Sequence, residues 1–369
     1  MAMKVPEHID AITPYPPGKP TEALERELGI KDSIKLASNE NPLGPSPRAL
    51  EAARTALETV NRYPDGGAYY LREKLANLFD RDMDEIVLGN GSNELIDMIV
   101  RVFIESGDEA IMSDQAFIIY QMSVQCAGGR NVVVAPKRFG HDLQAMADGI
   151  TERTRILFIA NPNNPTGTIC TRAEFEAFLA RVPEDVLVMM DEAYFEYVTD
   201  PEYPDSLAYQ RRHPNIVTLR TFSKIHGLAG LRLGYAIADR AIVEVVNKVR
   251  APFNVNSVAQ AAAMAAVDDN GHIEEAREMN AQGLETLAKG FQALGLDYVP
   301  SHANFILVDV GRDGGEVYGK LLHHGVIVRP MKGYGLPEHL RVTVGTQAEN
   351  DRALKAFGEV LGGTCVVDS

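Results

Sequence analysis

A single lysine, Lys224, stands where a short apolar run gives way to a glycine-rich turn. The run 216–219 contains β-branched residues and predicts a buried strand, and Gly227, Gly230 and Gly234 let the backbone turn sharply and approach a ligand. A lysine in an enclosed site loses solvation of its ammonium form, so its pKa falls and the neutral amine can attack a carbonyl carbon. The segment indicates Schiff-base chemistry, although a lone lysine after a strand is more often a solvated surface residue.

A carboxylate in a comparable position is Asp191, which directly follows the apolar run 186–190. An acid at the end of a central strand lies at the edge of the sheet, where ligands collect in parallel α/β folds. The competing interpretation is a helix N-cap, a position that aspartate also favours.

The segment Gly89–Glu94 could bind an anion. It follows a predicted strand at 86–88 and precedes a helical pattern that extends to Phe103. A glycine-rich turn at a helix N-terminus leaves several backbone N–H groups unpaired at the positive end of the helix dipole. Many strand-to-helix turns have this composition, so the signal is weak when taken alone.

Composition limits the classes of function. The chain has 369 residues, of which 45% are hydrophobic, enough for one large domain and a smaller one. Its net charge of −15 argues against a nucleic-acid partner, because a phosphate backbone requires a basic face. No apolar run approaches the roughly 18 residues of a membrane span, and the N-terminus has no apolar core of a signal peptide, so the default location is the cytoplasm.

The three cysteines fit no common site. Cys126, Cys170 and Cys365 are odd in number and widely spaced, unlike a disulfide framework or a zinc site. We assign them no role and expect no metal.

Several strings together resemble the fold-type I aminotransferases that depend on pyridoxal 5'-phosphate (PLP). Ser223-Lys224 is followed at fixed spacing by Gly-Leu-Ala-Gly-Leu-Arg-Leu-Gly234, and Asn161-Pro-Asn-Asn-Pro-Thr-Gly167 precedes Asp191. The resemblance implies an α/β fold with a mostly parallel central sheet flanked by helices, and a smaller α+β domain. The implied boundaries are an N-terminal arm with part of the small domain at 1–38, a large PLP-binding domain at 39–270 and a small C-terminal domain at 271–369.

The same resemblance implies a phosphate site and a cofactor-bearing lysine. Lys224 would hold PLP covalently and later move protons at the substrate. The cofactor phosphate would be bound by Ser223, Arg232 and the turn residues Gly91, Ser92 and Asn93.

The resemblance also assigns residues around the cofactor ring. Asp191 would lie beside the pyridine nitrogen, while Asn164 and Tyr194 would hydrogen-bond its phenolic oxygen. Phe117 is preferred to Tyr120 as the ring that stacks on the pyridine, although Asp114-Gln-Ala-Phe117 departs from the family's proline-aromatic pattern and a phenylalanine here is more often core.

Substrate and subunit contacts are implied as well. Arg341, with Arg329 as its helper, would bind anionic substrate groups, and Tyr15 and Asn41 would contact the substrate. Tyr63 lies in an Arg-Tyr-Pro-Asp loop that in the family reaches the cofactor phosphate of the neighbouring subunit. A homodimer with shared active sites is therefore expected.

Within the family, four strings resemble the histidinol-phosphate aminotransferases: 14–20, 38–42, 251–256 and 340–346. The implied reaction exchanges the amine of L-histidinol phosphate with 2-oxoglutarate and gives imidazole-acetol phosphate and glutamate, in histidine biosynthesis. An aromatic-amino-acid aminotransferase and a threonine-phosphate decarboxylase would use the same PLP residues, so both stay open. A non-catalytic PLP-binding regulatory domain is a remote alternative, since it should carry a basic DNA-binding segment and none is visible.

Overall fold

The apolar runs predicted as strands form a seven-stranded sheet. The structure, a computed structural model, describes residues 4–362. The strands of the described chain are β1 (Ile34–Lys35), β2 (Ile86–Gly89), β3 (Glu109–Ser113), β4 (Arg130–Val134), β5 (Thr154–Ala160), β6 (Leu187–Asp191), β7 (Ile216–Thr221), β8 (Gly234–Ile237), β9 (Tyr298–Val299), β10 (Phe305–Asp309), β11 (Val326–Ile327), β12 (Arg329–Pro330) and β13 (His339–Thr343).

The large sheet is mostly parallel, as predicted. Its order is β2-β8-β7-β6-β5-β3-β4, and only β8 runs antiparallel to its neighbours among the described strands. Every residue of β3, β6 and β7 is buried, because helices cover both faces of the sheet. This burial explains why these strands read as continuous apolar runs instead of alternating patterns.

Helices pack on the two faces of the seven-stranded sheet and around a second, four-stranded sheet. They are α1 (Glu7–Asp10), α2 (Thr21–Leu28), α3 (Pro47–Ala56), α4 (Tyr69–Phe79), α5 (Ser92–Phe103), α6 (Ile119–Cys126), α7 (Leu143–Asp148), α8 (Arg172–Leu179), α9 (Arg240–Val249), α10 (Ser257–Ala266), α11 (Asn270–Ala293), α12 (Gly314–His323) and α13 (Gln347–Leu361). Residues of α5, α6 and α9 form one core with the sheet, and residues of α7 and α8 form another.

Local signals set several helix ends. The hydroxyl of Ser46 accepts a hydrogen bond from the Ala49 amide at 3.2 Å, and Pro47 occupies the first turn of α3, as the sequence predicts. The proline-dense stretch 13–20 forms neither helix nor strand, because proline lacks the amide that both structures need.

A smaller sheet is built from the C-terminal part of the chain. Its order is β12-β13-β10-β9, and all its pairings are antiparallel. Close by, β1 pairs in parallel with β11, so the N-terminal segment joins the C-terminal elements. The division of the chain at residues 38 and 270 stays a prediction; it places the seven-stranded and the four-stranded sheets in different units.

No helix within residues 4–362 combines the length and apolarity needed to cross a membrane, and the cytoplasmic location stays a prediction. Cys126 is exposed and Cys170 is buried, and within residues 4–362 neither forms a disulfide. Cys365 lies outside the described residues.

Candidate active site

One cleft contains most of the residues that the sequence singles out. It lies at the ends of β5, β6 and β7 and extends to β12 and β13, with an empty volume of about 1080 Å³ including its mouth. Ligand pockets typically measure about 300–1,000 Å³, so a cofactor and a substrate can occupy it together. The predicted residues that line it are Tyr15, Ser92, Asn93, Phe117, Asn164, Asp191, Tyr194, Ser223, Lys224, Arg232, Arg329 and Arg341.

Lys224 reaches into this cleft from the turn after β7. Its Nζ donates to the backbone oxygen of Ser38 at 3.2 Å and lies 5.6 Å from the centre of the Tyr194 ring. Burial, assisted by the positive charge of Arg341, lowers the pKa of Lys224 to about 8, while the nearby Glu40 carboxylate opposes this shift. An amine with this pKa is neutral in a large fraction of molecules at mildly alkaline pH, as a nucleophile requires.

Asp191, the last residue of β6, points into the same cleft. Its Oδ2 accepts a hydrogen bond from the Tyr120 hydroxyl at 2.7 Å and its Oδ1 accepts from the Ala193 amide at 3.2 Å. Burial nevertheless raises the pKa of Asp191 above its usual value, although these hydrogen bonds and the charge of Lys224 act in the opposite direction. A protonated ring nitrogen beside the carboxylate would supply the positive charge that favours its ionised form.

The turn before α5 forms an anion cradle. Gly91 is the N-cap of α5 with φ of 84°, and no side chain caps this helix. A Cβ at Gly91 would lie 2.3 Å from Nη2 of Arg232, so only glycine allows the guanidinium to approach this closely. Nη1 of Arg232 in turn donates to the Ser223 hydroxyl at 3.3 Å. These donors fit the phosphate of the cofactor that the resemblance implies.

Two arginines face each other across the small sheet. Arg329 of β12 and Arg341 of β13 are direct cross-strand partners. Arg341 is buried and donates to the Ala37 oxygen at 2.7 Å and to the Asn164 side chain, but its Nε has no hydrogen-bond partner within residues 4–362. Like charges directly opposite one another repel, and an anion bound between them would relieve this repulsion.

Arg329 is the more accessible member of this pair. It donates to the Pro16 oxygen at 2.8 Å, and its guanidinium lies 5.0 Å from the centre of the Tyr15 ring. The proline-dense segment is thereby held at the mouth of the cleft, with Tyr15 facing the arginine pair.

The prediction that Asn41 contacts the substrate does not fit its position. Its amide nitrogen donates to the Ile225 oxygen at 2.7 Å, and its side-chain oxygen accepts from the Leu43 amide at 3.0 Å. Both ends of the side chain therefore stabilise the loop, and Asn41 lies outside the cleft.

Asn39, two residues earlier in the same motif, lines the cleft instead. Its Nδ2 donates to the Tyr194 hydroxyl at 2.9 Å, and its own backbone has φ of 56°. Asparagine tolerates this left-handed conformation better than most residues. The sequence places both asparagines in one turn but does not say which of them faces the cleft.

Sequence reasoning also missed Tyr120, which it considered only as a stacking ring, and Tyr334, which lines the cleft near Arg329. Tyr63, in contrast, lies outside the cleft of its own chain. It is 82% exposed and stacks on Phe253 with ring centres 4.7 Å apart.

Comparisons with known proteins agree with this site. Residues 31–357 match the family described as aminotransferase class I and II. The chain is 51% identical to histidinol-phosphate aminotransferase 1 of Nitrosococcus oceani, over 96% of this chain and 95% of that protein. It is 50% identical to histidinol-phosphate aminotransferase 2 of Pseudomonas aeruginosa, over 96% of each chain.

A solved structure shows the same likeness. The crystal structure of histidinol-phosphate aminotransferase from Sinorhizobium meliloti, in complex with pyridoxal-5'-phosphate, superposes with a TM-score of 0.88. The two sequences are 28% identical, and the match covers 98% of each chain.

Proposed function

This chain belongs to the aminotransferase class I and II family, and we propose that it is a PLP-dependent enzyme that transfers the amino group of L-histidinol phosphate to 2-oxoglutarate. The products are imidazole-acetol phosphate and L-glutamate, and the step belongs to histidine biosynthesis. The choice of substrate is supported by relatives of that name that are half identical over nearly the whole chain.

The observation that carries the proposal is the shared cleft of Lys224, Asp191 and the cross-strand pair Arg329 and Arg341. A reactive amine and a buried carboxylate serve the cofactor, and two guanidinium groups serve an anionic substrate. Guanidinium groups bind phosphate and carboxylate with the same planar fork. One arginine pair can therefore accept a phosphate-bearing amine and a dicarboxylate in turn.

Each residue of the cleft has a defined task in this reaction. When bound, PLP supplies an electron-withdrawing ring that stabilises the negative charge left when the substrate Cα loses its proton. Asp191 would keep the ring nitrogen protonated, and the cradle of Gly91, Ser223 and Arg232 would hold the phosphate. Lys224, neutral once it is free, would accept the proton of the substrate Cα on its Nζ.

The substrate is tested with the purified protein and a panel of amino donors. We expect kcat/KM with 2-oxoglutarate to be highest for L-histidinol phosphate, and at least about tenfold lower for phenylalanine, which lacks the phosphate. A higher value for phenylalanine would favour the aromatic-amino-acid aminotransferase, and release of carbon dioxide from threonine phosphate would favour the decarboxylase. Failure of all three, with no absorbance of bound cofactor, would contradict the proposal.

We further propose that the enzyme is a homodimer in which Tyr63 completes the partner's phosphate site. Several of the exposed large apolar side chains of the described residues lie between positions 57 and 70, namely Leu57, Val60, Tyr63 and Tyr70, and the exposed Phe253 packs beside Tyr63. An apolar patch of this kind supports burial in an interface. Isologous dimers bury the same patch on both copies.

Mixed dimers test this arrangement. Tyr63→Ala and Lys224→Ala proteins are each expected to be impaired, but in a mixed dimer one site combines Lys224 of one protomer with Tyr63 of the other. Random exchange of subunits should then restore roughly a quarter of the wild-type sites. Failure to regain activity after exchange, when sedimentation shows mixed dimers, would contradict sharing of the site.

A further inference from the structure

Tyr120 contacts both Asp191 and Phe117, the two side chains that the family resemblance places against the cofactor ring. It lies in the first turn of α6 and is fully buried. Its hydroxyl donates to Oδ2 of Asp191 at 2.7 Å. Within residues 4–362 this is the one side-chain hydrogen bond to Asp191, whose other oxygen accepts only from the Ala193 backbone.

The ring of Tyr120 is held as firmly as its hydroxyl. It stacks on Phe158 of β5, with ring centres 4.6 Å apart and an angle of 13° between the planes. Its other aromatic neighbour is Phe117, which meets it edge to face at 5.8 Å and 88°. Phe117 is the predicted stacking ring and lines the cleft, so Tyr120 supports both the carboxylate and the aromatic platform.

The hydroxyl of Tyr120 is the donor in its bond to Asp191. Burial, reinforced by the charge of Asp191, raises the pKa of Tyr120 well above its usual range, so the group stays protonated. A hydrogen bond from a neutral donor to a carboxylate is stronger than one between neutral groups and is directional. The other ionisable groups near Asp191 are Lys224 and Tyr194.

We propose that Tyr120 is a positioning residue that fixes the direction from which Asp191 meets the cofactor's ring nitrogen, while its ring fixes Phe117 against the face of the same ring. The inference rests on the proposed function, because it needs PLP in the cleft. Tyr120 would thus act on the cofactor ring through Asp191 and Phe117.

Tyr120→Phe removes the hydroxyl and keeps the ring, so the core packing against Phe158 is retained. A matched control is Tyr209→Phe. Tyr209 is also buried, donates to the carboxylate of Glu176 at 2.8 Å and meets Phe175 edge to face at 5.3 Å. It lies outside the cleft, so both variants lose the same kind of bond but only one loses it at the site.

Three measurements on the PLP-loaded proteins separate positioning from packing. For Tyr120→Phe we expect the PLP dissociation constant to rise about fivefold and kcat to fall about tenfold, with KM changed less than about twofold. The midpoint of the pH titration of cofactor absorbance should move to higher pH by about 0.5 unit, because Asp191 without its donor directs more negative charge at the ring. Tyr209→Phe should change none of these beyond about twofold, or about 0.1 pH unit.

The result that overturns the inference is a Tyr120→Phe protein that matches Tyr209→Phe in PLP affinity, kcat and titration midpoint. If the wild-type protein binds PLP and transaminates in the same experiments, that result would leave the proposed function intact. Wild-type protein without cofactor absorbance would instead overturn both.

Discussion

Two buried arginines, Arg220 and Arg341, have opposite environments in the fold. Arg220 of β7 donates through its Nε and Nη2 to Glu192 at 3.0 and 2.8 Å, and its guanidinium lies 3.6 Å from the centre of the Phe195 ring. Arg341 donates to a backbone oxygen and to a side-chain amide oxygen, and its Nε has no hydrogen-bond partner among the described residues.

The difference separates a structural charge from a functional one. A buried charge is tolerated when carboxylates satisfy it within the protein. The Arg220 and Glu192 side chains, 3% and 0% exposed, are satisfied in this way. Among the described residues, Lys224, Arg329 and Arg341 of the cleft have no carboxylate hydrogen-bonded to them, so their charges are open to an anionic ligand. Asp191, the last residue of β6, and Glu192, which follows it, face different environments, since successive residues of an extended chain point to opposite sides.

The largest effect is expected at the cleft. Lys224→Ala should lower kcat by about 10³-fold or more, because no other amine described in the cleft can move the proton at the substrate Cα. The visible absorbance of bound PLP should change as well. Steady-state assays and absorbance spectra check this, with Lys74→Ala as a control, since Lys74 pairs with Asp268 far from the cleft. Retained turnover in Lys224→Ala would show that the cleft is not the catalytic centre.

At the buried pair of Arg220 and Glu192, a substitution should lower stability. Glu192→Leu leaves Arg220 buried without its main partner and should lower the free energy of unfolding by about 3–5 kcal/mol. Urea unfolding measures the change. Asp80→Asn, which breaks the exposed pair with Arg211, should change the free energy of unfolding by less than about 0.5 kcal/mol.

A double substitution sharpens this prediction. Glu192→Leu combined with Arg220→Leu should recover much of the lost stability, because replacing a whole buried ion pair with apolar groups is often neutral. If the double variant were less stable than the single one, Arg220 would stabilise the fold chiefly through its contacts with Phe195 and Asp205.

An intermediate effect is expected at the arginine pair. Arg341→Lys keeps the charge but loses the planar fork, and should raise KM for both anionic substrates by about 10–100-fold. Arg329→Lys should raise KM less, because Arg329 is the more exposed of the two. The free energy of unfolding should not fall in either variant, unlike in Glu192→Leu. A loss of stability without a change in KM would assign Arg341 to the structural class.

The smallest effect concerns pH. The pKa of Lys224 in the folded protein, about 8, lies below its ordinary value of 10.5, so the amine becomes neutral as the pH rises through 8. The rate at which PLP-free protein combines with PLP should therefore rise about tenfold between pH 7 and pH 9. Stopped-flow absorbance measures this rate, and a rate that is flat over this range would place the pKa of Lys224 elsewhere.

The same shift predicts a dependence of stability on pH. Between about pH 8 and 10.5 the unfolded chain binds more protons at this lysine than the folded one. The stability of the PLP-free protein should consequently rise with pH across this window, and the penalty for burying Lys224 is fully present below it. Lys224→Ala serves as the comparison, since it removes this contribution.

Much of the fold was predictable because its signals are local. The apolar runs at 86–88 and 216–219, predicted as strands, lie in β2 and β7. The helical pattern that extends to Phe103 is α5, which ends at that residue. The Ser46 cap and the helix-breaking prolines at 13–20 also act within a few residues.

The cleft was predictable only in part. The choice between Asn39 and Asn41 depends on which way one turn faces, and the sequence alone does not show that Asn39 contacts Tyr194 while Asn41 binds the Ile225 backbone. The hydroxyl of Tyr120 donates to Asp191, 71 positions further along the chain, and no local pattern predicts such a contact.

The sequence by itself determined the kinds of group that this protein brings to its chemistry: a lysine after a buried strand, an acid at the end of another, a glycine turn before a helix and two arginines near the C-terminus. The tertiary structure alone decided which charges are neutralised and which stay open, pairing Arg220 with Glu192 and setting Arg329 opposite Arg341. The physical reason is that strand pairing and burial, which join distant residues, determine whether a charge meets a carboxylate of the protein or is left for a ligand.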